Sequence, residues 1–154
     1  ILIGAAIFNA FLGFSELPLL AADFFQNSGL SPFTVLLGMI VLYILLGFVM
    51  DSLSMILLTV PIFWPIIAGL DFGLNPDETK LWFGIISLIV VEMGLITPPV
   101  GLNVFVINSM AKDVPMIETF KGVVPFIISD FVRVGIIIFV PTITLILPRL
   151  LAIE

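Results

Sequence analysis

The chain has 154 residues, 61% of them hydrophobic and only 10% charged, with five basic against eleven acidic side chains, a net charge of −6 and a mean hydropathy of +1.35. Soluble domains carry about 25% charged residues, so these few groups cannot coat a water-facing globule, and the apolar content excludes a disordered chain. Cysteine and histidine are absent, which removes disulfides, thiolate and imidazole metal sites, and the commonest general base, while the acidic balance disfavours a nucleic-acid surface.

An α-helix needs ~20 apolar residues to cross a bilayer, so an all-α integral membrane protein of about five or six segments is expected. The chain opens Ile-Leu-Ile-Gly, without an initiator Met or a basic leader, and reads as a piece of a longer protein. Residues 1–30 form a broken helix. Apolar character runs to Phe14, stops at Ser15-Glu16-Leu17-Pro18 and resumes to Phe25, with Ser15 as the expected cap of the second piece.

Residues 31–70 form a helical hairpin. Two apolar arms, about Pro32–Leu46 and Leu53–Leu70, flank the tip Gly47-Phe48-Val49-Met50-Asp51-Ser52. Each arm is short for a crossing, and Pro61 and Pro65 weaken the second. Two plain spans with a tight turn and a re-entrant hairpin both fit. Residues 71–80 read as a polar loop. Residues 81–111 then carry one charge, Glu92, and form an interrupted helix. Pro98-Pro99 cannot continue a helical ladder, and Gly94 and Gly101 loosen it further. Two half-helices are expected, Leu81 to about Met93 and about Leu102 to Met110. Residues 114–148 read as an interfacial helix plus a final span, Val123–Pro148, with Asp113 as N-cap before Pro115 in a 112–121 polar stretch.

Unwound backbone at bilayer depth must be satisfied by protein or by a water-lined cavity, and transporters use such breaks to hold ions. Na⁺ prefers oxygen ligands, by the logic of hard cations. The break offers the carbonyls of Gly94, Thr97 and Val100, the Thr97 hydroxyl and the Asn103 amide. The hairpin tip offers the Gly47 carbonyl, the Asp51 carboxylate and the Ser52 and Ser54 hydroxyls. Asp51 is functional if the tip ends inside the membrane and a solvated cap if it is a surface turn. Glu92, two residues before the break, could bind a cation or proton or simply face a polar cavity, with the structural reading slightly favoured, and Glu16 near its helix break is a weaker case. Asp130 and Arg133 sit at i, i+3 and can pair on one helix face.

Gly-Phe-Val-Met-Asp-Ser at 47–52 with Pro61 and Pro65 resembles the second hairpin of the large (DctM-type) membrane subunit of TRAP, tripartite ATP-independent periplasmic, transporters. Trp82-Phe83-Gly84-Ile85-Ile86 leading into Gly-Leu-Ile-Thr-Pro-Pro-Val-Gly-Leu-Asn at 94–103 is similar to that family's broken helix, and Pro125-Phe126 before the last span also fits. The resemblance covers nearly the whole chain and matches the C-terminal half of such a subunit. It implies one repeat of an inverted-repeat, elevator-type secondary transporter, with 31–70 re-entrant.

The same resemblance implies that Gly47, Gly94, Thr97 and Val100 form a Na⁺ site, with Asp51, Ser52, Pro98, Pro99 and Asn103 near it or near the substrate. Na⁺ is then the coupling ion, and no cofactor is expected. The implied partners are a small four-helix membrane subunit (DctQ type) and a periplasmic solute-binding protein that delivers an organic acid such as a dicarboxylate or sialic acid. The implied location is the bacterial inner membrane. The acidic 71–80 loop suits the periplasm and Lys112 and Lys121 the cytoplasm, while Arg149 argues the other way. A structural or assembly subunit without its own ligand is the alternative. An intramembrane enzyme fits less well, since Asp51 and Asp130 are the only candidate aspartyl pair and lack a motif.

Overall fold

The computed structural model describes residues 2–111 and 113–151. Ile1 and Lys112, placed by the sequence in the first helix and the 112–121 stretch, lie outside them. The described residues form eight helices: α1 Leu2–Ser15, α2 Leu17–Asn27, α3 Pro32–Leu46, α4 Ser52–Ala68, α5 Pro76–Ile96, α6 Leu102–Met110, α7 Met116–Phe139 and α8 Thr142–Leu151. Among them α5 and α7 are long and apolar enough to cross a bilayer. α1 and α2, bent by 58°, make a third crossing if they count as one span. α3 and α4, with 15 and 17 residues, are shorter than a hydrocarbon core of ~30 Å requires at ~1.5 Å per residue.

α5 is the centre of the molecule. It packs on both hairpin arms, on α6 and on α7 and α8, while α1 and α2 pack on α4. Trp82, Ile86, Val90, Val91 and Met93 of α5 are almost fully buried, together with Tyr43 of α3, Met55 and Ile67 of α4 and Leu145 of α8. Large apolar side chains elsewhere, such as Phe14 and Phe139, stand exposed. A hydrocarbon surround solvates such groups where water would not.

The break between α1 and α2 falls at Glu16. Ser15 caps α2 only weakly, its Oγ accepting from Leu17 N at a long 3.5 Å. It ends α1, and its hydroxyl donates back to Leu12 O at 3.0 Å. Glu16 takes the cap position in the left-handed region, φ 54°, without a side-chain cap bond. α5 begins five residues before Leu81, the start read from the sequence. Asn75 caps it, accepting from Glu78 N at 2.9 Å, while Glu78 Oε2 accepts from Asn75 N at 3.2 Å. This capping box, with Pro76 preorganised at the first helical position, turns the second half of the expected polar loop into a helical turn. The other Glu78 oxygen accepts from Arg149 Nε at 2.6 Å and ties α8 to the start of α5.

The C-terminal part also differs from the expected interfacial helix and single span over Val123–Pro148. α7 runs unbroken from Met116 through Pro125 to Phe139, capped by Pro115 rather than Asp113, and α8 is separate. Pro125 lacks only the N–H that would reach the Lys121 carbonyl, a loss one helix absorbs. At Pro141 the chain leaves helical geometry, beginning at Val140. Asp130 and Arg133 do pair, at 2.7 Å.

Prolines act four residues upstream, because each deprives the i−4 carbonyl of its donor. Pro141 strips Ile137 O. The Trp82 indole fills the gap, donating from Nε1 at 2.9 Å. Trp82→Phe keeps the apolar ring and removes this donor. An unpaired buried carbonyl costs about 1–3 kcal/mol, so the thermal midpoint of the purified protein is expected to fall. A wild-type midpoint would mean that another donor serves Ile137.

A second buried polar group joins the hairpin arms. Thr59 Oγ1 lies 2.7 Å from Met55 O and 3.0 Å from the Tyr43 hydroxyl. Its one hydrogen serves the carbonyl, so the tyrosine O–H donates to the threonine. Phe63 packs edge-on against the Tyr43 ring.

Candidate functional site

The hairpin tip meets the end of α5 backbone to backbone. A methyl carbon added at Gly47 would lie 2.6 Å from Gly94 Cα and 2.7 Å from Gly94 C. One added at Gly94 would lie 3.0 Å from Gly47 Cα and 3.2 Å from Tyr43 O. A methyl at Gly47 requires the backbone to shift and one at Gly94 is tightly crowded, and this close approach favours glycine at both positions. Gly94 is therefore not a loosening residue. It lies inside α5, which continues to Ile96, so the unwound stretch is 97–101.

The linker is built by the prolines. Pro98 and Pro99 remove the donors that a helix would present to the carbonyls of Gly94 and Leu95. Gly94 O instead accepts from Thr97 N at 3.3 Å. No backbone or side-chain donor among the described residues reaches Leu95 O or Ile96 O. The Thr97 hydroxyl donates to Met93 O at 2.6 Å, which commits its hydrogen and leaves its lone pairs facing outward from that bond. Val100 is half-buried, and Pro98 and Pro99 are exposed. Gly101 then starts α6 with φ +55°, a left-handed conformation that favours glycine.

Oxygen acceptors thus gather at the C-terminal end of α5, where the helix dipole is negative, and the tip of the hairpin is pressed against the same end. That chemistry suits a hard monovalent cation. Among the described residues no cluster of three or more acidic residues exists that would hold a divalent metal.

The remaining candidates are more dispersed. Asp51 caps α4: its Oδ1 accepts from Ser54 N at 2.9 Å and its Oδ2 from the Ser54 hydroxyl at 2.6 Å. Asp51 is exposed, Ser52 half-buried, and neither bonds to the linker. Asn103 is exposed on α6, and Glu92 is exposed on α5.

Sequence reasoning passed over Asn9, Tyr43 and Thr59, and took Trp82 only as part of a motif. A usable signal existed for two of them. A proline inside an apolar helix predicts a bare carbonyl four residues back and hence a donor side chain on a neighbouring helix. Which helix supplies it is a tertiary fact that local sequence does not carry.

Residues 1–143 match the family model described as "Tripartite ATP-independent periplasmic transporter, DctM component". The chain is similar to the C4-dicarboxylate TRAP transporter large permease protein DctM of Pseudomonas aeruginosa, 33% identical over 97% of this chain and 33% of that protein. It is similar to the sialic acid TRAP transporter large permease protein SiaM of Vibrio cholerae, 29% identical over 96% of this chain and 33% of that protein. Similarity extends to the 2,3-diketo-L-gulonate TRAP transporter large permease protein YiaN of Escherichia coli, 29% identical over 82% of this chain and 28% of that protein. The chain thus spans about a third of the length of these curated relatives.

Proposed function

Since the chain belongs to the DctM component family of tripartite ATP-independent periplasmic transporters, we propose that it forms part of the large permease of a Na⁺-coupled carrier importing an organic acid. In this reading α3 and α4 are a re-entrant hairpin, α5 and α6 are one interrupted helix, and together they make one repeat of an elevator-type, inverted-repeat transporter. Gly47, Gly94, Thr97 and Val100 contribute to a Na⁺ site, and Asp51, Ser52, Pro98, Pro99 and Asn103 lie toward the substrate. A periplasmic binding protein delivers the acid, and a small DctQ-type membrane subunit accompanies the permease in the inner membrane. The acid belongs to the class that the relatives' names span, from C4-dicarboxylates to sialic and diketo sugar acids.

The observation that carries this reading is the contact between Gly47 and Gly94. It supports a tip that ends beside proline-vacated carbonyls. Na⁺ bound there joins hairpin and broken helix, so that ion occupancy and hairpin closure are one equilibrium.

Thr97→Ala in the full-length permease, with its small subunit and binding protein in proteoliposomes, tests it. Uptake is expected to fall, with the Na⁺ concentration for half-maximal uptake rising about tenfold or more, the effect of losing one ligand of ~1.4 kcal/mol. Wild-type Na⁺ dependence at wild-type protein levels overturns the assignment of Thr97. A purely structural role for the linker would instead lower assembly and leave the Na⁺ dependence of the surviving carriers unchanged.

A further inference from the structure

The bend-prone arm of the hairpin is completed by a residue 48 positions earlier in the chain. Pro61 lies inside α4 and has no N–H for Leu57 O, four residues upstream. Asn9 of α1 donates its side-chain amide to that oxygen, Nδ2 to O at 3.1 Å. The orientation of the amide is fixed by this acceptor, because the reversed amide would set two oxygens against each other. Its own Oδ1 is buried and takes no donor from the described residues. The amide is therefore placed for its N–H₂ group, at the expense of its oxygen. The arrangement occurs a second time, where Trp82 supplies the donor that Pro141 withholds from Ile137. Two prolines, Pro61 inside α4 and Pro141 in the break after α7, thus have their stripped carbonyls served by donor side chains from neighbouring helices.

We propose that Asn9 is a positioning residue that acts as the missing backbone donor of α4. It fixes the angle of the proline joint at Pro61, and it binds α1 to the second hairpin arm so that the two move as one piece. The carbonyl makes this binding strict. In an apolar surround α1 cannot leave α4 without baring Leu57 O. The proposal stands on these distances alone and does not depend on the ion-site reading.

The pairing of one proline with one amide makes the idea separable from packing. In the full-length permease, Asn9→Leu is expected to speed hydrogen exchange of the α4 amides flanking Pro61 about tenfold and to lower the thermal midpoint. In a Pro61→Ala background residue 61 regains its N–H, the ladder closes on Leu57 internally, and the same Asn9→Leu change is expected to alter exchange less than about twofold. Equal effects in both backgrounds mean that Asn9 acts through packing and overturn the proposal.

Should Pro61→Ala not fold, Asn9→Asp gives the second arm. A protonated carboxyl can donate to Leu57 O, and an ionised one repels it. The introduced group then has a folded-state pKa above its unfolded value. Its stabilisation is present at low pH and lost as pH rises. The Asn9→Asp protein is therefore expected to approach wild-type midpoint and exchange on acidification and to fall away from them toward neutral pH, relative to Asn9→Leu at each pH. No pH dependence of that difference overturns the proposal.

Discussion

Gly47→Ala is expected to abolish uptake and to lower the stability of the permease by roughly 3 kcal/mol, the upper end of the ordinary overpacking range. The added methyl falls 2.6 Å from Gly94 Cα and 2.7 Å from Gly94 C. Both atoms are backbone in the last turn of α5, the most buried helix, so no side-chain rotation relieves the clash. α3 and α5 must separate at this level, which also strains the packing of Tyr43 one turn earlier. Gly94→Ala meets atoms at 3.0 and 3.2 Å and is expected to act in the same direction with a smaller effect. Gly84→Ala is the control, since a methyl there meets nothing within 4 Å. Thermal midpoints of the three purified variants, with uptake at matched protein levels, check the ordering. A Gly47→Ala protein as stable and active as Gly84→Ala would show that the tip does not rest on α5.

The double substitution Pro98→Ala with Pro99→Ala is expected to remove Na⁺ stimulation of uptake, by tenfold or more, while leaving the thermal midpoint at or above wild type. Alanine at both positions supplies the i+4 N–H groups that the prolines withhold from Gly94 O and Leu95 O and favours continued helix. The carbonyls then turn inward to the ladder and are withdrawn from any ion. Sodium-dependent uptake in proteoliposomes, with sodium binding measured on the purified protein, reads the loss. The combination of a stable protein and absent Na⁺ stimulation separates an ion-site role from a folding role. Unchanged Na⁺ stimulation in a protein whose linker has become helical would contradict the proposed site.

Much of the architecture was legible because prolines and glycines punctuate an apolar chain strongly. The break before Pro18, the two short arms and an unwound stretch at the paired prolines were all readable in this way, though the first half-helix runs to Ile96 rather than to about Met93. What was not legible depended on partners distant in sequence. Gly94 looked like a local loosening residue because its real constraint is the Gly47 backbone, 47 residues away. Asn9 carried no local signal because its acceptor becomes bare only through Pro61. The start of α5 was misplaced for a different reason: charge density at 75–80 was weighed as loop, whereas Asn75, Pro76 and Glu78 are the residues a helix N-terminus uses. In the last third, Pro125 and Pro141 look alike in sequence, yet the helix runs through the first and stops before the second.

The central position of α5 has a consequence for biogenesis. Synthesis delivers α1 to α4 to the membrane before the helix that the two hairpin arms pack against exists. In that interval the Tyr43–Thr59 pair already joins the two arms, but Gly47 has no backbone to rest on, and the arms are too short to settle as independent crossings. Asn9 and Leu57, by contrast, are already both present. The first four helices thus reach the bilayer joined through α4, and the hairpin acquires its floor only when Trp82 to Gly94 emerge.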